Sequence, residues 1–154
     1  MLAIALENSP CQNSGWSISL MDMLRPQTPL AAPVLPMTQR ASLRAEFSEV
    51  ISECLEPGWS GEHSDPIRAE AIAAGSKLIT NLPDDVPSPT VGAIPEGLLS
   101  FEWYRNPKRV VMVIPNANNG VDYAIRRGDE VFHGSAPFFG SLPETVLSQI
   151  RALG

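Results

Sequence analysis

Charge is scarce along this chain, and cysteine scarcer still. Asp, Glu, Lys and Arg make up 18% of the 154 residues, against roughly a quarter in typical soluble proteins. The shortfall sits at the front: residues 1–40 carry only Glu7, Asp22, Arg25 and Arg40, which cancel. The whole net charge of −6 therefore falls on residues 41–154. An acidic domain repels phosphate backbones, so no direct nucleic-acid binding is expected, and a basic protein partner is favoured. The two cysteines, Cys11 and Cys54, do not make a disulfide framework, and a reducing cytoplasm is the default expectation. Long apolar runs are missing too. "MLAIAL" has no Lys or Arg before it and is too short for the apolar stretch of a secretion signal. Val110–Ile114 falls far short of the ~20 residues a membrane span requires. A soluble, cytoplasmic protein is expected.

Also absent are a glycine-rich phosphate loop with its lysine, a Gly-x-Ser-x-Gly elbow, a Cys-x-x-Cys pair and any internal repeat. No cofactor and no metal are called for. Proline, by contrast, is abundant, at 15 residues. Pro26, Pro29, Pro33 and Pro36 fall within "RPQTPLAAPVLP", where fixed φ and missing amide donors favour extended chain. Residues 1–40 therefore read as a proline-rich arm: a spacer, an upstream extension ahead of Met21, Met23 or Met37, or a docking segment. Residues 41–154 read as one domain.

Within that domain, Leu43, Phe47, Val50, Ile51 and Cys54 fall on one face of a helix over 41–55, with Thr38 placed to cap it. Cys54 is expected as a small core residue. Pro57 and Gly58 stop the helix. A second helix is expected from an Asp65 cap with Pro66 in its first turn, ending before Pro83, and packed antiparallel to the first. Residues 81–97 read as an extended crossing. "LLSFEWYR" alternates, with Leu99, Phe101 and Trp103 on one face. "RVVMVIP" is apolar on both sides, the mark of a central strand covered twice. "NANNG" is a turn, and "VDYAIRR" and "VFHG" supply further strands. Ser141 and Glu144 fit a capping box for a last helix carrying Val146, Leu147, Ile150 and Leu153. The fold class is α+β: two N-terminal helices on an antiparallel meander of three to five strands, closed by a C-terminal helix.

Trp59 stands in "PGWSG" between Gly58 and Gly61, which permit a sharp turn. It reads as a staple over the open end of the helix pair, with an exposed anchor for a partner as the rival reading. The run "PGWSGEHSDPI", followed by "IPEGLLSFEWYR", resembles a group of small uncharacterised bacterial proteins with a Gly-Trp-Asp-Gly loop and a later Glu-Trp strand. The resemblance covers residues 45–150 and points to Gly58, Trp59, Gly61, Pro66, Ile67, Gly97, Glu102 and Trp103. Ser60 stands where that group has Asp, and Phe101 where it has Leu. The resemblance implies no activity, but a setting among phage-derived or toxin–antitoxin-like genes, and so an interaction role.

Glu46, Glu49, Glu53 and Glu56 recur at three- and four-residue steps and form an acidic stripe beside the first helix's apolar face. With Trp59, they are the expected partner-binding residues. His63 and His133 are weak catalytic or metal-ligating candidates, which require the fold to join them with a carboxylate. Arg105, Lys108 and Arg109 at one hairpin, with Arg126 and Arg127 at another, offer an anion site or ordinary charged turns. Glu102 is expected on an outward face, solvated or paired with Arg109 or Arg126. The leading expectation is a non-enzymatic antitoxin, immunity protein or inhibitor that occludes a basic partner. The alternatives are a small His-based or metal-dependent hydrolase and a phage structural component. No oligomeric state follows from the pattern.

Overall fold

β-branched and aromatic residues at alternating positions, separated by glycine and asparagine turns, build a five-stranded antiparallel sheet in the order β1-β2-β3-β4-β5. The computed structural model describes residues 38–154. The strands are β1 (Thr90–Ile94), β2 (Leu98–Asn106), β3 (Arg109–Asn116), β4 (Gly120–Arg127) and β5 (Glu130–Pro137). Helices α1 (Gln39–Glu53) and α2 (Ala69–Asn81) precede them, and α3 (Glu144–Arg151) follows. The α+β architecture expected from the sequence is the one found. The proline-rich segment before Thr38 lies outside the described residues. Among the described residues, no helix is long and apolar enough to cross a membrane.

The helices pack on one sheet face. Val91, Ala93, Leu99, Phe101, Trp103, Val111, Val113, Val121 and Ile125 line that face and share a core with Leu43, Phe47, Val50, Leu78, Ile79, Val146 and Ile150. Phe47 stacks on Phe101 with ring centroids 6.3 Å apart, and the Trp103 indole N–H donates to the Pro87 carbonyl at 2.7 Å. Thr38 caps α1, its Oγ1 accepting from the Ala41 amide at 3.2 Å. α1 and α2 run antiparallel. Arg40, at the start of α1, donates to the Thr80 and Leu82 carbonyls at the end of α2, at 2.6 and 2.8 Å, and to Asp84 at 2.7 Å. α2 has no basic residue in its own last turn, so Arg40 supplies the cation its C-terminal dipole favours. Arg40 thus belongs to the folded domain and not to the arm.

A similar clamp closes α3. A register shift in β2 between Tyr104 and Asn106 leaves Arg105 as the extra residue, and such a bulge re-aims its side chain. Arg105 donates to the carbonyls of Leu153 and Gly154, and Arg109 to that of Ala152 at 3.3 Å. Arg151 bridges Asp85 at 2.7 Å and Glu144 at 2.8 Å. The Arg151 hydrogen bond holds the Asp85 carboxyl below its ordinary value.

Four expectations need correction. α2 starts at Ala69, not at an Asp65 cap. Residues 65–68 stay extended because their amides go elsewhere: Asp65 to Pro95, Ile67 to Cys54 and Arg68 to Gly97. The 81–97 crossing contains a strand, β1, paired with β2 from Thr90↔Glu102 to Ile94↔Leu98. α3 has Pro143 at its N-cap with no side-chain cap, since Glu144 is drawn to Arg151. Cys54 is fully buried in the core, as expected, but it is disulfide-bonded; the other cysteine, Cys11, lies outside the described residues.

Candidate functional site

The "GWSGEHS" loop is held from within. Gly58 and Gly61 have φ of +79° and +130°, values that glycine tolerates and other residues resist. The Gly58 amide donates to the Ser64 carbonyl at 2.9 Å and the Gly61 amide to the Gly58 carbonyl at 3.1 Å. Ser64, buried at the centre, accepts from the Ser60 amide and donates to the Gly61 carbonyl, both at 3.0 Å. This hub was not legible from the sequence, where Ser64 looks like one more polar loop residue. Trp59 is half-buried and packs against the core. Its indole N–H donates to the Asp65 carbonyl at 2.7 Å.

The loop rests on the β1–β2 turn through the Asp65–Pro95 and Arg68–Gly97 amide bonds. Trp59 is thus a staple with one edge in water. Trp59→Ala should cost about 2 kcal/mol, below the 3–5 of a fully buried tryptophan. That lowers the thermal midpoint by roughly 10 °C, and an unchanged midpoint in a calorimetric scan would refute the staple.

The acidic stripe divides. Glu46 is half-buried and turned onto the sheet edge, where its Oε1 accepts from the Val91 amide at 2.8 Å. It satisfies an edge amide of β1 and so blunts that edge. Glu49, Glu53 and Glu56 are exposed. Beside them Leu55 is 50% exposed, because α1 ends at Glu53 and the chain turns before Leu55 can rejoin the apolar face. α1 has no basic residue in its last turn, so Glu53 opposes the helix dipole there.

The two histidines occupy different parts of the molecule. His63 is exposed in the loop that rests on the β1–β2 turn, and His133 is exposed on β5. β1 and β5 are opposite edges of the sheet, four interstrand steps of about 4.8 Å apart. Among the described residues no three His, Cys, Asp or Glu side chains gather as a metal site. Glu102 sits opposite Met112, not opposite an arginine.

The basic hairpins border a groove of about 450 Å³ between the β3–β4 end and α3, lined by Arg109, Val111, Ile125, Arg126 and Gln149. Three of these cations are engaged with the fold: Arg109 with Ala152, Arg126 with the Gly128 carbonyl at 3.3 Å, and Lys108 with Asp129 at 3.2 Å.

No protein-family model, curated protein or solved structure matches this chain.

Proposed function

We propose that this protein is a non-enzymatic binding module of the antitoxin, immunity or inhibitor kind, occluding a basic protein partner with the end of α1. The observation that carries this reading is Leu55, half-exposed beside Glu49, Glu53 and Glu56. An apolar anchor within an acidic rim is the arrangement that captures a basic surface: the anchor supplies affinity, and the charges supply rate and selectivity.

Gly58, Trp59, Gly61, Pro66 and Ile67 lie in one loop, and Gly97, thirty residues further on, belongs to the turn that loop rests on. The cytoplasmic setting read from the sequence suits a reduced chain. A disulfide-bonded Cys54 suits an oxidising compartment.

The test is affinity capture by the full chain beside its Glu49→Lys/Glu53→Lys/Glu56→Lys variant. One stoichiometric basic partner is expected, lost with the variant and weakened by salt. The variant should melt close to the parent, since exposed substitutions usually change stability by less than about 0.5 kcal/mol. A partner retained by the variant, or no partner, would overturn the reading.

A further inference from the structure

The two edges of the sheet are protected unequally. β1 is five residues long, and the Glu46 carboxylate occupies its Val91 amide. β5 is eight residues long, and among the described residues no strand pairs with its far side. The Phe138 amide bonds to the Asn119 carbonyl, one step beyond the β4–β5 ladder. By alternation the even-numbered residues of β5 bond to β4, and Val131 and Ser135 turn their amides and carbonyls outward. Natural edges are blunted by lysine, by internal proline or by a bulge. Residues 131–136 contain no Lys, Arg, Asp, Glu or Pro, and the register runs unshifted from Gly120↔Pro137 to Arg127↔Glu130. The edge is apolar as well: Val131 is 44% and Phe132 47% exposed, and Phe139, just past its end, 79%.

We propose that β5 pairs antiparallel with β5 of a second copy of this chain, joining the two sheets across a twofold axis. The register sets Val131 opposite the partner's Ser135, and Phe132 opposite the partner's Gly134. Outward groups then meet outward groups, and Val131 and Ser135 exchange amide–carbonyl bonds in both directions. The twofold repeats each contact, as a closed symmetric interface requires.

Shape and charge both select a second copy as the occupant. Phe132 and Gly134 lie on the helix side of the sheet, beside Ile125 and Tyr123 of β4. Tyr123 lays its ring across Gly134, in the space a Cβ would take. A side chain opposite Gly134 on the open edge therefore meets an aromatic ring, and the partner's Phe132 is the aromatic side chain this register delivers there. One strand carries both the ring and its seat, two residues apart, so two copies complete each other. The net charge of −6 opposes self-association, but the acidic residues of this strand and its turn, Asp129 and Glu130, sit at one end. Antiparallel pairing holds the two Glu130 residues roughly 20 Å apart, beyond the Debye length of about 8 Å at physiological salt. Parallel pairing would stack them about 4.8 Å apart.

Sedimentation of the full chain over a dilution series tests this, and a reversible monomer–dimer equilibrium is expected. Val131→Pro removes an outward amide and none that bonds to β4, so it should raise the dissociation constant at least about tenfold. Phe132→Gln keeps the backbone intact and should weaken the dimer in the same direction. α1 packs beside β1, at the opposite edge, so the Glu49→Lys/Glu53→Lys/Glu56→Lys variant should dimerise as the parent does. The pairing therefore stands or falls independently of the role of α1. A monomer at every concentration, or a dimer that Phe132→Gln leaves equally tight, would overturn the proposal. A dimer lost in the α1 variant alone would place the contact elsewhere and overturn it too.

A second readout fixes the register. Phe132 is half-exposed, so a photo-reactive benzoylphenylalanine is tolerated in its place. The expected product has dimer mass and joins position 132 to the peptide of the other copy that holds Tyr123 or Gly134. Links confined to one chain, or to any other part of the second copy, would overturn the pairing.

Discussion

Gly97→Ala should cost about 3 kcal/mol, the sum of two separable penalties. The first is conformational: Gly97 has a φ of +78°, which costs a residue with a Cβ roughly 1–2 kcal/mol. The second is steric. An added Cβ would lie 2.6 Å from the Pro66 carbonyl oxygen, with Arg68 at 3.2 Å behind it. Backbone cannot swing aside as a side chain can, and forced overlap in a packed region costs a further 1–3 kcal/mol or so. The Arg68 amide bonds to the Gly97 carbonyl at 3.0 Å, so any shift there also loosens the loop that carries Trp59. Gly128→Ala is the control, with φ at +66° and nothing within 4 Å of the new Cβ. Urea unfolding should show Gly97→Ala less stable than Gly128→Ala. Equal losses would mean that the Pro66 contact yields freely.

Gly75→Ala should destabilise the protein by about 1–2 kcal/mol, although helix propensity predicts a gain of nearly 1 kcal/mol. The sign is decided by Phe47. A Cβ at position 75 would meet the Phe47 ring at 2.7 and 3.1 Å and Leu99 Cδ1 at 3.3 Å. That ring is buried and stacked against Phe101, so it has no direction in which to retreat. Phe47→Leu in the same background should recover part of the loss. The pair would then be non-additive in a double-mutant cycle, as residues in direct contact are. A stabilised Gly75→Ala would show that α1 stands off α2 at this point.

The contrast between local and distant forces also explains what the sequence disclosed. The Thr38 cap, the Leu99–Phe101–Trp103 face, the central position of β3 and the asparagine turn all rest on neighbours within a few residues. There, period and turn chemistry are read directly. The start of α2 was misread because a good local signal, Asp65 followed by Pro66, lost to amide bonds reaching Pro95 and Gly97. β1 was hidden by the prolines on either side of it, Pro87, Pro89 and Pro95, and is completed from outside, by β2 and by the Glu46 carboxylate.

At the candidate site the acidic stripe was visible, but two of its properties were not. The spacing of Glu46 cannot reveal that it faces the sheet edge, and Leu55 becomes a surface residue because the helix stops two positions earlier. The arginine clamps left no local trace, since Arg40 and Arg105 act on helix ends some forty or more residues away.

The strand order carries a consequence for how the molecule is made. Each strand pairs with the next in sequence, so the sheet closes only short loops as it forms and should zip quickly once its strands exist. The helices gain nothing from that speed. α1 and α2 leave the ribosome first, yet the strands that bury Phe47, Leu78 and Ile79 are synthesised after them. At synthesis rates of about 5–20 residues per second, the helix pair waits several seconds with its apolar face open before β3 emerges. The stage of biosynthesis most in need of a chaperone is therefore the nascent helical hairpin.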